Sequence, residues 1–366
     1  MILQTIFFKI ILFLKKIILK FILKVLFFKI ILFLISKVFY PIFSSNLKIE
    51  TLELNIDRVE GKTNKKSFKI VQLSDIHYDK LPLRISDSFL QKVINSTNAL
   101  NPDLILITGD LVERDPEPIT QLYKKHLSQL KSKYGIYAIL GNHDYKTTLG
   151  PEIIKNALKN TNITLLENDI VYPMGKDKVG GGGGAIQLIG IDSYANTDQN
   201  KMDRLYREIN STTSNDLIKF LLIHNPDHVS LLKENNVNVD VVIAGHSHGS
   251  QICFPKFNGI FKTRFTNGDP LLPYFESFIQ KIPIKFIRNI KYPGKRTLKN
   301  WKFGKGYFQI LQNSHKLNFY VNRGLGTHPP FRIFCDPEIT LINLNSNNTT
   351  NNNNNNNNTT SSIKIK

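Results

Sequence analysis

Five short apolar runs, each ending in a cluster of Asp, His or Asn, constrain this chain more than any other feature of its sequence. Lys69 to Leu73 ends in SDIH, Asp103 to Thr108 in GD, Ile136 to Leu140 in GNHD, Phe220 to Ile223 in HNP, and Val239 to Ala244 in GHSH. Runs this short and apolar read as buried strands. Between them, residues 87–100, 116–133, 151–160 and 226–236 have helical spacing, so the chain alternates as an α/β protein does. A buried sheet fixes its backbone, and loops leaving one edge can then place short side chains with little slack. With 366 residues and 41% apolar content, a sizeable core is within reach.

The polar clusters supply Asp75 and His77, Asp110, Asn142, His224, and His246 and His248. Two carboxylates, four imidazoles and one amide suit borderline or hard divalent metals such as Mn, Fe or Zn. Seven ligands are too many for one ion and suit two, with one carboxylate shared. In D-x-H, the period of two along a strand points Asp75 and His77 the same way if the strand runs that far; His246 and His248 follow the same rule. Two ions about 3.5 to 4 Å apart generate a hydroxide nucleophile near neutral pH and hold phosphoryl oxygens through an in-line displacement. His143 is left over beside the ligands and precedes Asp144. It is expected to donate a proton to the leaving oxygen, with Asp144 holding its tautomer and raising its basicity.

Taken together, SDIH, TGDLV, LGNHD, IHNP and AGHSHG resemble the calcineurin-like metallophosphoesterase superfamily. Near the end, GLGTHPPFRIFCDPEITLINL resembles its membrane-associated phosphodiesterase group, which includes the bacterial YkuE and YaeI proteins. The match runs over about residues 68 to 344. It implies an α/β metallophosphoesterase fold, a two-sheet β-sandwich flanked by helices, with a dinuclear metal site at the carboxyl ends of its strands. It further implies that Asp75, His77 and His248 bind one ion, that Asp110 bridges, and that Asn142, His224 and His246 bind the other. GIDSY, Gly190 to Tyr194, departs from the group's pattern, because Ser193 stands where a second acidic residue is expected.

Charge bears on partners. Of the net +19, residues 1–40 hold seven Lys and no acid, and residues 256–305 hold twelve Lys or Arg against Asp269 and Glu276. Two basic, apolar stretches point to an anionic membrane surface, whereas nucleic-acid binding would spread basic side chains around the site. A nuclease or nucleotide phosphodiesterase is the alternative, since the 256–305 stretch also carries aromatics. A non-catalytic scaffold of the same fold is a further one, against which stands a ligand set with no member missing.

The first forty residues are Ile-, Leu- and Phe-rich but interrupted by Lys, so no uncharged run approaches the roughly 18 residues of a simple spanning helix. Lys9, Lys16, Lys20 and Lys24 fall on one helical stripe. Three readings fit: a membrane anchor, spanning or interfacial; a cleaved targeting peptide, which the lack of an A-x-A cleavage site disfavours; and an oligomerisation helix. The expected organisation is therefore an anchor at 1–40, a metallophosphoesterase domain at 48–344 with a basic insertion at about 256–305, and a disordered Asn-rich tail at 345–366. Gly180 to Gly184 reads as a hairpin tip, since a P-loop would need a Lys and a helix after it. Cys253 and Cys335 lack zinc-finger spacing and read as free thiols.

Overall fold

Each of the five apolar runs forms a strand. In chain order the elements are β1 (Lys48–Arg58), β2 (Ser67–Leu73), α1 (Asp87–Ala99), β3 (Leu104–Thr108), α2 (Ile119–Lys125), β4 (Ile136–Ile139), α3 (Gly150–Leu158), β5 (Ile163–Leu165), β6 (Asp169–Val171), β7 (Ala185–Gly190), α4 (Gln199–Ser211), β8 (Leu217–Leu222), α5 (Val229–Glu234), β9 (Val241–Ala244), β10 (Gly306–Gln312), β11 (His315–Val321) and β12 (Glu338–Asn348).

This computed structural model describes residues 46–58, 67–80, 84–146, 149–175, 185–192, 199–212, 217–253, 298–299, 301–312, 315–328 and 332–348, with scattered positions between 15 and 30. Most of the expected anchor, the Gly180 to Gly184 run and most of the 256–305 stretch lie outside the described residues. Among the described residues no helix is long and apolar enough to cross a membrane.

The strands make two six-stranded sheets, in the orders β1-β12-β2-β3-β4-β5 and β10-β11-β9-β8-β7-β6. At the centre of each, neighbours run parallel: β2, β3 and β4 in one, β7, β8 and β9 in the other. Parallel neighbours require crossovers, and helices supply them. The side chains of α1, α2 and α3 pack with Val71, Leu73, Ile105 and Ile107 on the outer face of the first sheet. Those of α4 and α5 pack with Leu221, Val242 and Phe319 on the second. Between the sheets lies a third apolar layer, including Ile70, Leu104, Leu106, Leu188, Phe220, Leu222 and Ile243. β3 shows why its sequence is apolar without alternation: Leu104 and Leu106 face the opposite sheet, while Ile105 and Ile107 face the helices. The result is the helix-flanked two-sheet sandwich expected from the sequence.

Several boundaries differ from expectation. The helical stretch 116–133 breaks after Lys125, where His126 (φ −128°) leaves the helix and its Nε2 meets Asp87 Oδ1 at 3.0 Å. The stretch 226–236 starts as a single 3₁₀ turn, Pro226–His228, before α5. β12 pairs in parallel with β1 as far as Asn348 and so enters the segment expected to be disordered from residue 345; residues beyond 348 lie outside the described ones.

The inter-sheet layer is the joint between the two halves of the fold. Truncating Phe220, which is fully buried in it, removes contacts with both sheets. Phe220→Ala is expected to lower the unfolding free energy by about 3 to 5 kcal/mol in urea titration, whereas Leu311→Ala, at a position 71% exposed, should stay within about 0.5 kcal/mol of wild type. Equal effects would contradict this placement of the core.

Candidate metal centre

The strands stop before their polar clusters begin. β2 ends at Leu73 and β9 at Ala244, so the strand pleat does not aim Asp75 and His77, or His246 and His248. Instead Asp75, His77, Asp110, His246 and His248 all adopt left-handed backbone, with φ between 50° and 70°. Such a conformation costs a non-glycine residue about 1 to 3 kcal/mol and persists only where surroundings enforce it. The side chains converge because the backbone curls at the sheet edge, which corrects the expectation of a continuing strand.

The loops enforce this by bonding one another. Past the ends of β2 and β3, Asp75 N–H donates to Gly109 O and His77 N–H to Asp110 O, each at 3.0 Å. The Asp75 carboxylate accepts the His246 N–H at 2.9 Å and the Ser74 hydroxyl at 2.6 Å. Behind it, Gly326 N–H donates to Asp75 O at 2.7 Å. Asp110 Oδ1 accepts the His143 N–H at 2.7 Å. Two motif glycines follow from this crowding: a Cβ at Gly141 would overlap the Asp110 carboxylate, and one at Gly245 would overlap Ser74 Oγ.

Two adjoining groups of ring nitrogens and carboxylates, Asp75–His77–His248 and Asp110–His224–His246, could each hold a metal ion, and a third, His77–Glu113–His143–His328, shares His77 with the former. In the first, His77 Nε2 and His248 Nε2 stand 2.9 Å apart, and Asp75 Oδ1 lies 3.8 Å and 3.5 Å from them. In the second, His224 Nε2 is 3.2 Å from His246 Nδ1 and 3.1 Å from Asn142 Oδ1. One oxygen, Asp110 Oδ2, spans the two groups, 3.4 Å from His77 Nε2 and 3.2 Å from His224 Nε2.

The opposite edges of these rings test whether the donor set fits a metal. His224 Nδ1 donates to Thr108 O at 2.7 Å and His248 Nδ1 to Gly326 O at 3.1 Å. Each bond holds the Nδ1 proton outward and turns Nε2 inward, so that Nε2 is the nitrogen a cation would meet, the arrangement of a metal-ligating histidine. His77 Nδ1 lies 2.8 Å from Glu113 Oε2 as an ion pair. Without a cation, the surrounding carboxylates favour protonated His77 and His224. Burial lowers the pKa of His77, but the Asp110, Asp75 and Glu113 carboxylates outweigh it and push the ring up to about 10. Burial also opposes charge on His224, yet Asp110 holds that ring at about 9. Although burial raises them, Asp75 and Asp110 lie below the usual carboxylate range, held there mainly by His248 and His224 respectively. The pocket thus draws positive charge inward.

Asp144 does not serve His143 as expected. Its carboxylate accepts the backbone N–H groups of Gly141 (2.8 Å), Val112 (3.1 Å) and Leu111 (3.3 Å), clamping two loops together. Burial and the nearby Asp110 charge push it up to about 7. The group at His143 is Glu113, which the sequence reading missed: His143 Nδ1 donates to the Glu113 carbonyl at 2.7 Å and lies 3.1 Å from its Oε2. Glu113 reaches this place because the two loops pair past the strand ends, with Glu113 N–H donating to Tyr78 O at 3.4 Å. His328, also missed, packs its ring 4.6 Å from His77 and 4.7 Å from His248. Asp192 accepts the Tyr145 hydroxyl on the flank of the site, and Ser193 lies outside the described residues.

Paired imidazole and carboxylate clusters at the edges of two facing sheets, fed by GD, GNHD and GHSH, match one family. The sequence profile of the calcineurin-like phosphoesterases fits residues 68–250. This chain belongs to the calcineurin-like phosphoesterase family. It is a phosphoester hydrolase. Its relatives include an uncharacterised metallophosphoesterase of Campylobacter jejuni, 27% identical over 85% of this chain and 68% of that protein. Another is the UDP-2,3-diacylglucosamine pyrophosphatase LpxG of Chlamydia muridarum, 26% identical over 82% of this chain and 92% of LpxG. A third is the uncharacterised metallophosphoesterase YkuE of Bacillus subtilis, 29% identical over 76% of this chain and 79% of YkuE.

Within this phosphoesterase, one carboxylate supports both a ligand-type ring and His143. Glu113→Gln is expected to slow hydrolysis of diesters with poor, alkyl leaving groups by on the order of 10²-fold. For p-nitrophenyl esters, which need little help from a proton donor, the loss should be much smaller. Equal losses for both leaving groups would contradict the link to His143.

Proposed function

We propose that this phosphoesterase hydrolyses phosphate mono- or diesters at a two-ion centre held beside a membrane, and that its substrate is a lipid-linked phosphate or pyrophosphate. In this reading Asp75, His77 and His248 hold one ion, Asn142, His224 and His246 the other, and Asp110 both. The observation that carries it is the Asp110 carboxylate oxygen placed within 3.4 Å of a ring from each group. Divalent Mn, Fe or Zn would supply water activation and neutralisation of phosphoryl charge.

The chain's own side chains do the rest. Thr108 O, Gly326 O and Glu113 set the ring orientations before substrate arrives. Glu113 holds His143 by Nδ1, which leaves the Nε2 edge to carry a proton to the leaving oxygen. Lys146 Nζ lies 2.7 Å from His143 Nε2, so that edge carries a proton to the leaving oxygen once the ammonium has turned from it to a phosphoryl oxygen. Asp144 and the motif glycines keep the loops that bear these groups at close range.

Support for the substrate class comes from outside the centre. LpxG, aligned over most of both chains, is named for a diacylated nucleotide-sugar pyrophosphate. The basic, apolar residues 1–40, and with them the 256–305 stretch, suit the anionic headgroup layer where such a substrate lies. Residues 48–344 then form the catalytic domain and 1–40 its tether.

The purified full chain with Mn²⁺ is expected to hydrolyse bis(p-nitrophenyl) phosphate and to lose this on chelation. Asn142→Ala should fall by on the order of 10²-fold or more, whereas His143→Ala should lose that much on an alkyl diester and much less on this p-nitrophenyl ester. Deletion of residues 1–40 should abolish flotation with anionic liposomes and spare diester hydrolysis. A negligible rate for wild type and both variants alike, with Mn, Fe and Zn in turn, would contradict the catalytic reading. Strong binding to single-stranded DNA with no liposome binding would overturn the membrane reading in favour of a nuclease.

A further inference from the structure

Arg332, 1% exposed, is the bulkiest fully buried side chain among the described residues. A guanidinium in such a place is costly unless its donors are satisfied in good geometry. Its fork is spread across backbone carbonyls. Nη2 donates to Gly326 O at 2.6 Å, to Arg323 O at 2.9 Å and to Gly324 O at 3.2 Å. Nη1 donates to Cys335 O at 3.3 Å and His248 O at 3.4 Å, and Nε to Thr327 Oγ1 at 3.0 Å.

Two of these carbonyls belong to the environment of one proposed ligand. Gly326 O also accepts the Nδ1–H of His248, and Nη2 comes within 3.3 Å of that nitrogen itself. The shorter bond goes to the carbonyl, so Arg332 fixes the acceptor that sets the His248 tautomer. The same loop backs Asp75: Leu325 N–H donates to Ser74 O at 3.0 Å and Gly326 N–H to Asp75 O at 2.7 Å. Gly324, at φ +71°, passes so close to Asp75 that a Cβ there would come within 2.7 Å of its Cβ. A single side chain thereby braces both His248 and the turn that carries Asp75.

We propose that Arg332 is a positioning residue for the Asp75–His77–His248 group: by holding the Gly326 carbonyl it orients His248, and so sets how tightly that group holds a divalent cation. This rests on the two-ion reading above. The alternative is a core staple that stabilises the fold and leaves cation affinity alone.

Equilibrium dialysis of the chelator-stripped full chain against Mn²⁺ separates the two, with circular dichroism reporting the folded state. Wild type is expected to take up two Mn²⁺. Arg332→Lys keeps the charge but lacks the planar fork; it is expected to weaken one ion by roughly 10- to 100-fold and leave the other unchanged. Combined with His248→Ala, which removes a ligand of the same ion, it should bring no further loss. If Arg332→Lys does not fold, Thr327→Val, which removes only the Nε acceptor, should show a smaller loss confined to the same ion. Two ions at wild-type affinity in the folded variant, or equal weakening of both, would overturn the role of Arg332. A wild-type chain that binds no Mn²⁺ would overturn the metal centre itself, and the inference with it.

Discussion

One carboxylate-bearing turn holds the site end of this fold together. Asp75 bonds through its N–H to the loop after β3, through its carboxylate to the loop after β9, and through its carbonyl to the loop preceding β12. Those loops come from both sheets and from distant parts of the sequence. Because Asp75 is fully buried and its backbone is left-handed, it has no slack to give. Strain of this kind is sustained only when the surroundings have no better arrangement. Here the glycines of GHSH and of the GLGTH loop provide it, by letting backbone approach where any Cβ would collide.

That geometry has an electrostatic consequence. Two carboxylates and three imidazoles lie buried within a few ångströms, and burying ionised groups is costly unless opposite charge compensates. The rings of His77 and His224 answer by holding protons well above their ordinary range, driven by Asp110 against the effect of burial. A divalent cation would satisfy the same carboxylates with more charge in less space, which is why the donor set favours one over bulk-like titration. Glu113 extends the arrangement outward, binding a ligand-type ring and the candidate proton donor to one acid.

Much of the fold is legible in the sequence. β3, β4 and β9, and β2 and β8 apart from a few polar residues such as Lys69, Gln72 and Lys219, are apolar without alternation because both faces of their sheets are covered, and such runs stand out locally. The seven candidate ligands are legible for the same reason, since each follows one of those runs. What the sequence hides is how they point. A pleat would aim Asp75 and His77 together, yet a left-handed turn does it, and nothing in SDIH announces that conformation. Glu113 escaped because its place depends on two loops pairing beyond their strands, a long-range contact with no local signature. Asp144 sits next to His143 in sequence, which suggests contact between them, while the backbone of the Gly141 turn claims its carboxylate. The pairing of β1 with β12 joins residues nearly 300 positions apart, and carries β12 to Asn348 in a stretch whose composition alone argues for disorder.

The central claim is that two cations share Asp110, and anomalous scattering from crystals grown with Mn²⁺ tests it most directly. The account predicts two anomalous peaks, one enclosed by Asp75, His77 and His248 and one by Asn142, His224 and His246, with Asp110 in contact with both. A single peak, or none with the side chains otherwise placed as described, would contradict it.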